Sequence, residues 1–276
     1  MSPTPPQGPR TLTACIQGIG LIGPGLTDWQ CGARAIAGEE VYIPRPTAIP
    51  APEGLPAAER RRTGATVRLA LSVAQQAVAD AGVNPAVLPA VFSSSGADGR
   101  ICHEICETLA SADRQLSPTR FHNSVHNAAA GYWGLATGAT AASTALCAYD
   151  ASFAAGLLEA LAVVMADQVP VLLCAYETPY PEPLQAKRPL PDSFGVALVL
   201  APAAAANARA SLTASLCDAS AAADRLTDPG LEALRAAVPA GRSLPLLRLL
   251  ARREPGSVVL EYLGEQRVKV EVRECR

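Results

Sequence analysis

Four groups of residues have types and spacings that could do chemistry. Gly18-Ile-Gly20-Leu-Ile-Gly23 follows a β-prone segment and fits the G-x-G-x-x-G turn that seats a dinucleotide on a helix N-terminus. Here Pro24 and Gly25 delay the helix to about Thr27. The Pro-rich stretch after Glu39 and Glu40 does not read as the second strand of such a unit, so a tight strand-to-loop turn is expected instead. Cys102-His103-x-x-Cys106 has a metal-like composition, but on a helix His103 points away from the two cysteines. No second ligand pair is suitably spaced, and a plain helix with buried thiols is the expectation. The histidines are His103, His122 and His126, and no G-x-S-x-G elbow accompanies them, which disfavours a Ser-His-Asp hydrolase. Finally, Cys147 and Asp150 stand where an apolar strand gives way through a sharp elbow to an apolar helix.

The elements that must position these groups alternate between strand and helix. Residues 11–17 read as a first strand, and Thr27 can cap a helix to about Ala37. The Pro-dense connector, residues 42–56, suits neither helix nor central strand. Val67, Ala70, Leu71, Ala74, Val78 and Ala81 follow the i, i+3, i+4, i+7 rule, and Gly82 ends that helix. Strands are predicted over residues 90–94, 141–147, 169–175 and 194–200, and helices over 103–112, 128–137 and 152–165. Several strands are apolar on both faces, which indicates a central sheet covered by helices on each side. Beyond Pro202 the pattern weakens: a low-complexity run at 203–206, a weak edge strand at 209–217, short helices at 231–238 and 246–253, and a closing hairpin. The expected organisation is a Pro-rich disordered lead (1–10), a main α/β domain (11–202) and a small α+β extension (203–276).

Composition narrows the function classes. Of the 276 residues 49% are apolar and 17% charged, so a substantial core can form. A net charge of −2 offers no general attraction to nucleic acid or an anionic membrane, and neither is expected as a partner. The apolar run 154–165, interrupted by Glu159, reads as too short to span a bilayer. The opening MSPTPPQGPR has no apolar signal region, so a cytoplasmic location is expected, with most of the eight cysteines reduced and packed in the core.

The region NAAAGYWGLATGATAASTALCAYDASFAAGLLEALAVVMADQVPVLLCAYE (127–177) resembles the nucleophile region of β-ketoacyl synthases. Asn127, Gly131, Gly138, Ser152, Gly156 and Glu177 match the family pattern. ACIQGIGLIGPGLTDWQCG, RRTGATVRLALSVAQQAVADAGV and FGVALVL are similar to its opening strand, its next helix and a later strand, so residues 11–201 are covered. The resemblance implies a thiolase-like fold, N-terminal half, layered α/β/α.

The departures from that family bear on function. Registered from Asn127 without gaps, Asp150 falls at the position of the nucleophilic cysteine. A carboxylate cannot carry an acyl chain as a useful thioester, although Asp150 could cap the following helix. Cys147 is the alternative nucleophile; it requires a shifted register and would lie inside the strand, and a core cysteine is the preferred reading. The two histidines that the family places far downstream of its cysteine have no counterpart, since no histidine follows residue 126.

The resemblance therefore implies a non-catalytic, chain-length-factor-like subunit of the kind associated with aryl polyene and type II polyketide pathways. Its expected partners are an active ketosynthase, as a heterodimer, and an acyl carrier protein bearing a polyene, polyketide or fatty-acyl chain. It implies neither cofactor nor metal. In that family the strand before the cysteine pairs across the dimer, here Ala141, Ala142, Ser143, Thr144, Ala145, Leu146 and Cys147. Phe121, Tyr132 and Trp133 are the candidates for lining the acyl tunnel, with ordinary core packing as the other reading. A self-sufficient condensing enzyme or acyltransferase using Cys147, and a homodimeric acyl-binding scaffold, stay open.

Overall fold

The chain stays extended where a turn is expected at Gly18. In the computed structural model, which describes residues 11–203, 205 and 207–275, strand β1 (Thr11–Ile22) runs through both Gly18 and Gly20. The reversal comes only at Gly23–Leu26. The lead of residues 1–10, and Ala204 and Ala206 of the low-complexity run, lie outside the described residues. Helices α1 (Trp29–Ala37), α2 (Ala57–Arg62) and α3 (Ala65–Ala81) follow, α1 capped by Asp28 rather than by Thr27.

Helix α3 explains the glycines. A Cβ on Gly18 would stand 2.2 Å from the Ala77 carbonyl oxygen, and one on Gly20 would stand 2.1 Å from that of Val73. The motif is therefore a bare track on which a helix lies, and it opens no helix for a dinucleotide. The same helix completes the strand's hydrogen bonding. The backbone N–H of Ile19 donates to Asp80 Oδ2 and that of Leu21 to Gln76 Oε1, both at 2.9 Å.

The remaining elements are β2 (Ala90–Ser93), α4 (Gly99–Ala110), α5 (Pro118–Asn123), α6 (Ala128–Thr137), β3 (Ser143–Leu146), α7 (Ser152–Asp167), β4 (Val171–Glu177), α8 (Leu184–Lys187), β5 (Phe194–Ala201), β6 (Ala210–Asp218), α9 (Pro229–Ala237), α10 (Leu244–Arg252), β7 (Gly256–Glu261) and β8 (Gln266–Arg273). The strands form one mixed sheet in the order β3-β2-β4-β5-β1-β6-β8-β7. Strand β6 is not an edge: it pairs antiparallel with β1 on one side and β8 on the other. Its alternating Ala210, Leu212 and Ala214 are buried, a face too small-sided to announce itself in the sequence.

Each side of the sheet carries its own core. On β4, Val171, Leu173 and Ala175 pack with α7 residues Phe153, Leu157, Leu161 and Val164, while Leu172, Cys174 and Tyr176 pack with α3 and α6. That division accounts for the unbroken apolar run in β4, because both of its faces are buried. Fully burying a leucine or valine contributes about 1.5–3 kcal/mol, so these two layers are the main source of stability. With the preceding turn, Tyr149–Asp167 is longer than the apolar run suggested, and it is the one helical stretch among the described residues long and apolar enough to cross a membrane. Half of it is buried in this core.

Candidate functional site

The junction of β3 and α7 is a strained elbow. Beyond Leu146 the chain passes Cys147 and Ala148 into a single tight turn, Tyr149–Ala151, before α7 begins. Tyr149 has φ +52°, a left-handed conformation that costs a non-glycine residue about 1–2 kcal/mol. Ser152 holds the bend: its hydroxyl donates to the Tyr149 carbonyl at 2.7 Å and accepts from the Ala148 N–H at 3.1 Å. The Ser152 carbonyl in turn accepts from the Ser93 hydroxyl on β2. Gly156 lets α7 sit this close, since a Cβ there would lie 2.9 Å from Ser93 Cβ and Leu173 Cδ1.

Asp150 does not cap α7, whose N-terminus receives no side-chain cap. Its carboxylate turns sideways between two guanidinium groups. Oδ1 accepts from Arg188 Nη2 at 2.8 Å, and Oδ2 lies 3.2 Å from Arg242 Nη2. Arg188 follows α8 and also stacks 3.7 Å over the Tyr149 ring centroid. Arg242, from the turn before α10, is also bonded to Glu261 on β7. Glu261 meets Arg235 at 3.4 Å, and Arg235 holds Glu232 through two 2.8 Å bonds. Three arginines and three carboxylates thus form one neutral chain from the elbow to the sheet's far edge. Burial lowers the Arg242 pKa, whereas at Arg188 burial is outweighed by Asp150, Tyr180 and Tyr149 together, which raise it. A carboxylate held on both oxygens by guanidinium groups is a structural anion.

Beside the elbow lies a buried carboxyl, Glu177, at the end of β4. It accepts from the Ser95 N–H at 2.5 Å and the Ser95 hydroxyl at 2.8 Å, which fixes the loop after β2. Burial pushes its pKa up to about 7, against the pull of the Ser95 bonds and Arg188.

Cys147 is not a core cysteine. It stands one residue past the end of β3, its thiol exposed and donating to the Ser95 carbonyl at 3.1 Å. His126 Nε2 lies 3.3 Å from the neighbouring Ser94 carbonyl, and no hydrogen bond joins the two side chains among the described residues. Cys102 and Cys106 are likewise exposed, because α4 buries none of its residues; only Cys15 and Cys174 of the eight are buried. No group of three potential metal ligands occurs among the described residues.

The three aromatic candidates separate. Phe121 and Tyr132 border one shallow apolar groove of about 520 Å³, shared with Val125 and Leu135. Phe121 is 65% exposed, whereas Tyr132 is buried and donates its hydroxyl to Asn123 Oδ1 at 3.1 Å. Trp133 faces inward, its ring 6.5 Å from that of Phe92 in the α3–α6 core layer.

Strand β3 is one outer edge of the sheet. Its inner side pairs with β2, and alternation directs the backbone groups of Ser143 and Ala145 outward. Ser143 and Thr144 are exposed, and no charge or proline lies between Ala141 and Cys147. The opposite edge is partly paired: on β7, Val259 N–H donates to Asp224 Oδ2 at 2.7 Å and its carbonyl accepts from the Asp224 N–H at 2.9 Å. Asp150, Ser152 and this strand are legible in the sequence, whereas Arg188, Arg242 and Glu261 are not. Only their position in space connects them to the elbow.

The family model for the β-ketoacyl synthase N-terminal domain matches residues 34–253. None of the curated proteins compared matches the chain. Among solved structures it is similar to one described as a ketosynthase (ApeO) in complex with its chain length factor (ApeC) from Xenorhabdus doucetiae. The TM-score is 0.71 at 24% identity, covering 94% of this chain and 99% of that one. The ishigamide ketosynthase/chain length factor gives 0.71 at 14%, covering 96% and 100%. A type II polyketide acyl-carrier protein in complex with its ketosynthase, AntDE:AntF, gives 0.71 at 11%, again covering 96% and 100%. At these identities the likeness establishes the thiolase-like ketosynthase fold.

Proposed function

The chain belongs to the β-ketoacyl synthase N-terminal domain family, and from that premise we propose that it is a non-catalytic, chain-length-factor-like subunit. It pairs with an active ketosynthase in the cytoplasm and shapes the tunnel for an acyl chain, of the polyene, polyketide or fatty-acyl kind, carried on acyl carrier protein. The observation that carries this reading is the elbow. Where the family needs a thiolate at a helix N-terminus, this chain has a carboxylate locked between Arg188 and Arg242. The open, uncharged β3 edge supports pairing with a second subunit, because an unpaired strand without charges or proline is a template for another chain. The groove of Phe121 and Tyr132 supports a tunnel wall completed by that partner. Trp133 acts behind it, as packing.

The test is co-expression with the cognate ketosynthase, followed by purification through a tag on one subunit. A stable one-to-one complex is expected, with product length altered when Tyr132 or Phe121 is changed in size. Failure to co-purify, or product length indifferent to both positions, would overturn the proposal. Exposure of the Cys147 thiol keeps one rival open, an acyltransferase in its own right. That rival requires covalent acylation of this chain, lost in Cys147→Ala. A homodimeric scaffold would instead self-associate through the same edge without any ketosynthase.

A further inference from the structure

Cys15 and Cys275 meet far from the elbow. Cys15 lies in β1, and Cys275 follows the last strand, β8, yet the Cys275 thiol donates to Cys15 Sγ at 3.4 Å. Strand β6 separates β1 from β8, so the chain must fold back past the start of β6 to bring the two sulfurs together. Cys275 reaches this point at the wall of a cavity of about 590 Å³ between α1, α10 and the sheet, which Ile19, Trp29, Arg209 and Leu249 also line. Cys15 itself donates to the Ala203 carbonyl at 3.6 Å and also meets the Ser211 side chain. Neither sulfur belongs to the elbow, the β3 edge or the tunnel groove.

We propose that Cys15 and Cys275 form a redox-active thiol pair that closes to an intramolecular disulfide by exchange with a low-molecular-weight disulfide such as oxidised glutathione. A disulfide needs the sulfurs at ~2.05 Å, so closure draws Cys275, the less buried of the two, toward Cys15. Cys275, the less buried thiol, makes the first attack. Its thiolate forms a mixed disulfide with one glutathione and expels the other as a thiolate. Cys15 then loses its proton and attacks Cys275 Sγ, forming the protein disulfide and expelling the second glutathione, which takes up that proton. Two protein thiols are oxidised and one glutathione disulfide is reduced to two thiols. Burial, and then the neighbouring Cys275, push the Cys15 thiol up to about 11, which assigns Cys15 the resolving role. Closure ties the segment after β8 to the first strand at the cavity wall.

The experiment treats the full-length protein with oxidised glutathione, alkylates the remaining thiols and maps the peptides by mass spectrometry. The expected result is a single linked pair, Cys15 with Cys275, lighter by two hydrogens and reopened by dithiothreitol. Cys15→Ala should stop at the first step and accumulate glutathione on Cys275. Cys275→Ser should leave the buried Cys15 alkylated only after unfolding. The proposal is overturned if native protein retains glutathione on Cys275, or if both cysteines stay free while the exposed Cys31, Cys102, Cys106 and Cys147 become modified.

Discussion

At the scale of single residues, Asp150 is the hinge of the account. Its partners make its loss costly, because removing the carboxylate leaves Arg188 and Arg242, 18% and 19% exposed, without their shared anion. Asp150 is itself 38% exposed, which moderates the effect, and Asp150→Ala is expected to destabilise the chain by about 1–3 kcal/mol. Urea denaturation reads this as a lowered midpoint, with Asp150→Asn intermediate. Asp150→Cys should behave like the alanine variant and gain no condensing activity, since a thiol cannot hold both arginines. Glu177 supplies a pH signature. Its folded pKa of about 7 lies above its ordinary 4.5, so the fold binds a proton that the unfolded chain has already released. Its contribution is complete below about pH 4.5 and falls by about 1.4 kcal/mol per pH unit until about pH 7. Stability profiles of the wild type and Glu177→Gln should diverge across that window, and parallel profiles would refute the assignment.

At the scale of elements, two contacts decide whether the site is held. Gly20→Ala drives a methyl into the backbone of α3 and is expected to cost about 1–3 kcal/mol, visible as a drop in melting temperature. Ala145→Pro removes an outward-facing N–H from β3 while sparing the ladder to β2, so the chain should fold but lose the proposed pairing with a ketosynthase. Circular dichroism and co-purification separate those two effects. The sequence disclosed the elements whose faces are strongly patterned. Helices α3 and α6, the buried strand β4 and the terminal hairpin stand within a few residues of their predicted bounds. Less was readable where a local signal had a distant cause. Glycines at 18 and 20 look like a turn until α3 is laid on them, and β6 looks like an edge because its buried side chains are so small. The cysteines misled for a related reason: small apolar residues usually fill cores, but α4 turns Cys102 and Cys106 to the surface. Asp150 was found by register alone, and nothing local foretold the arginines that reach it from α8 and the turn before α10.

At the scale of the whole molecule, one sheet carries two opposed properties. Its β7 edge is paired with Asp224 at Val259, and its β3 edge lies open beside the elbow. The ion-pair chain from Asp150 through Arg242 and Glu261 to Arg235 spans the fold between them, so the C-terminal elements are tied to the elbow they help to lock. The proposed role asks this chain to present a rigid face to a partner while performing no acyl transfer. Intact-protein mass spectrometry of the co-expressed complex, after incubation with an acyl-carrier-protein thioester, tests that claim most directly. An acyl adduct on the ketosynthase and an unchanged mass for this chain are expected; an adduct on this chain that disappears in Cys147→Ala would refute the non-catalytic role.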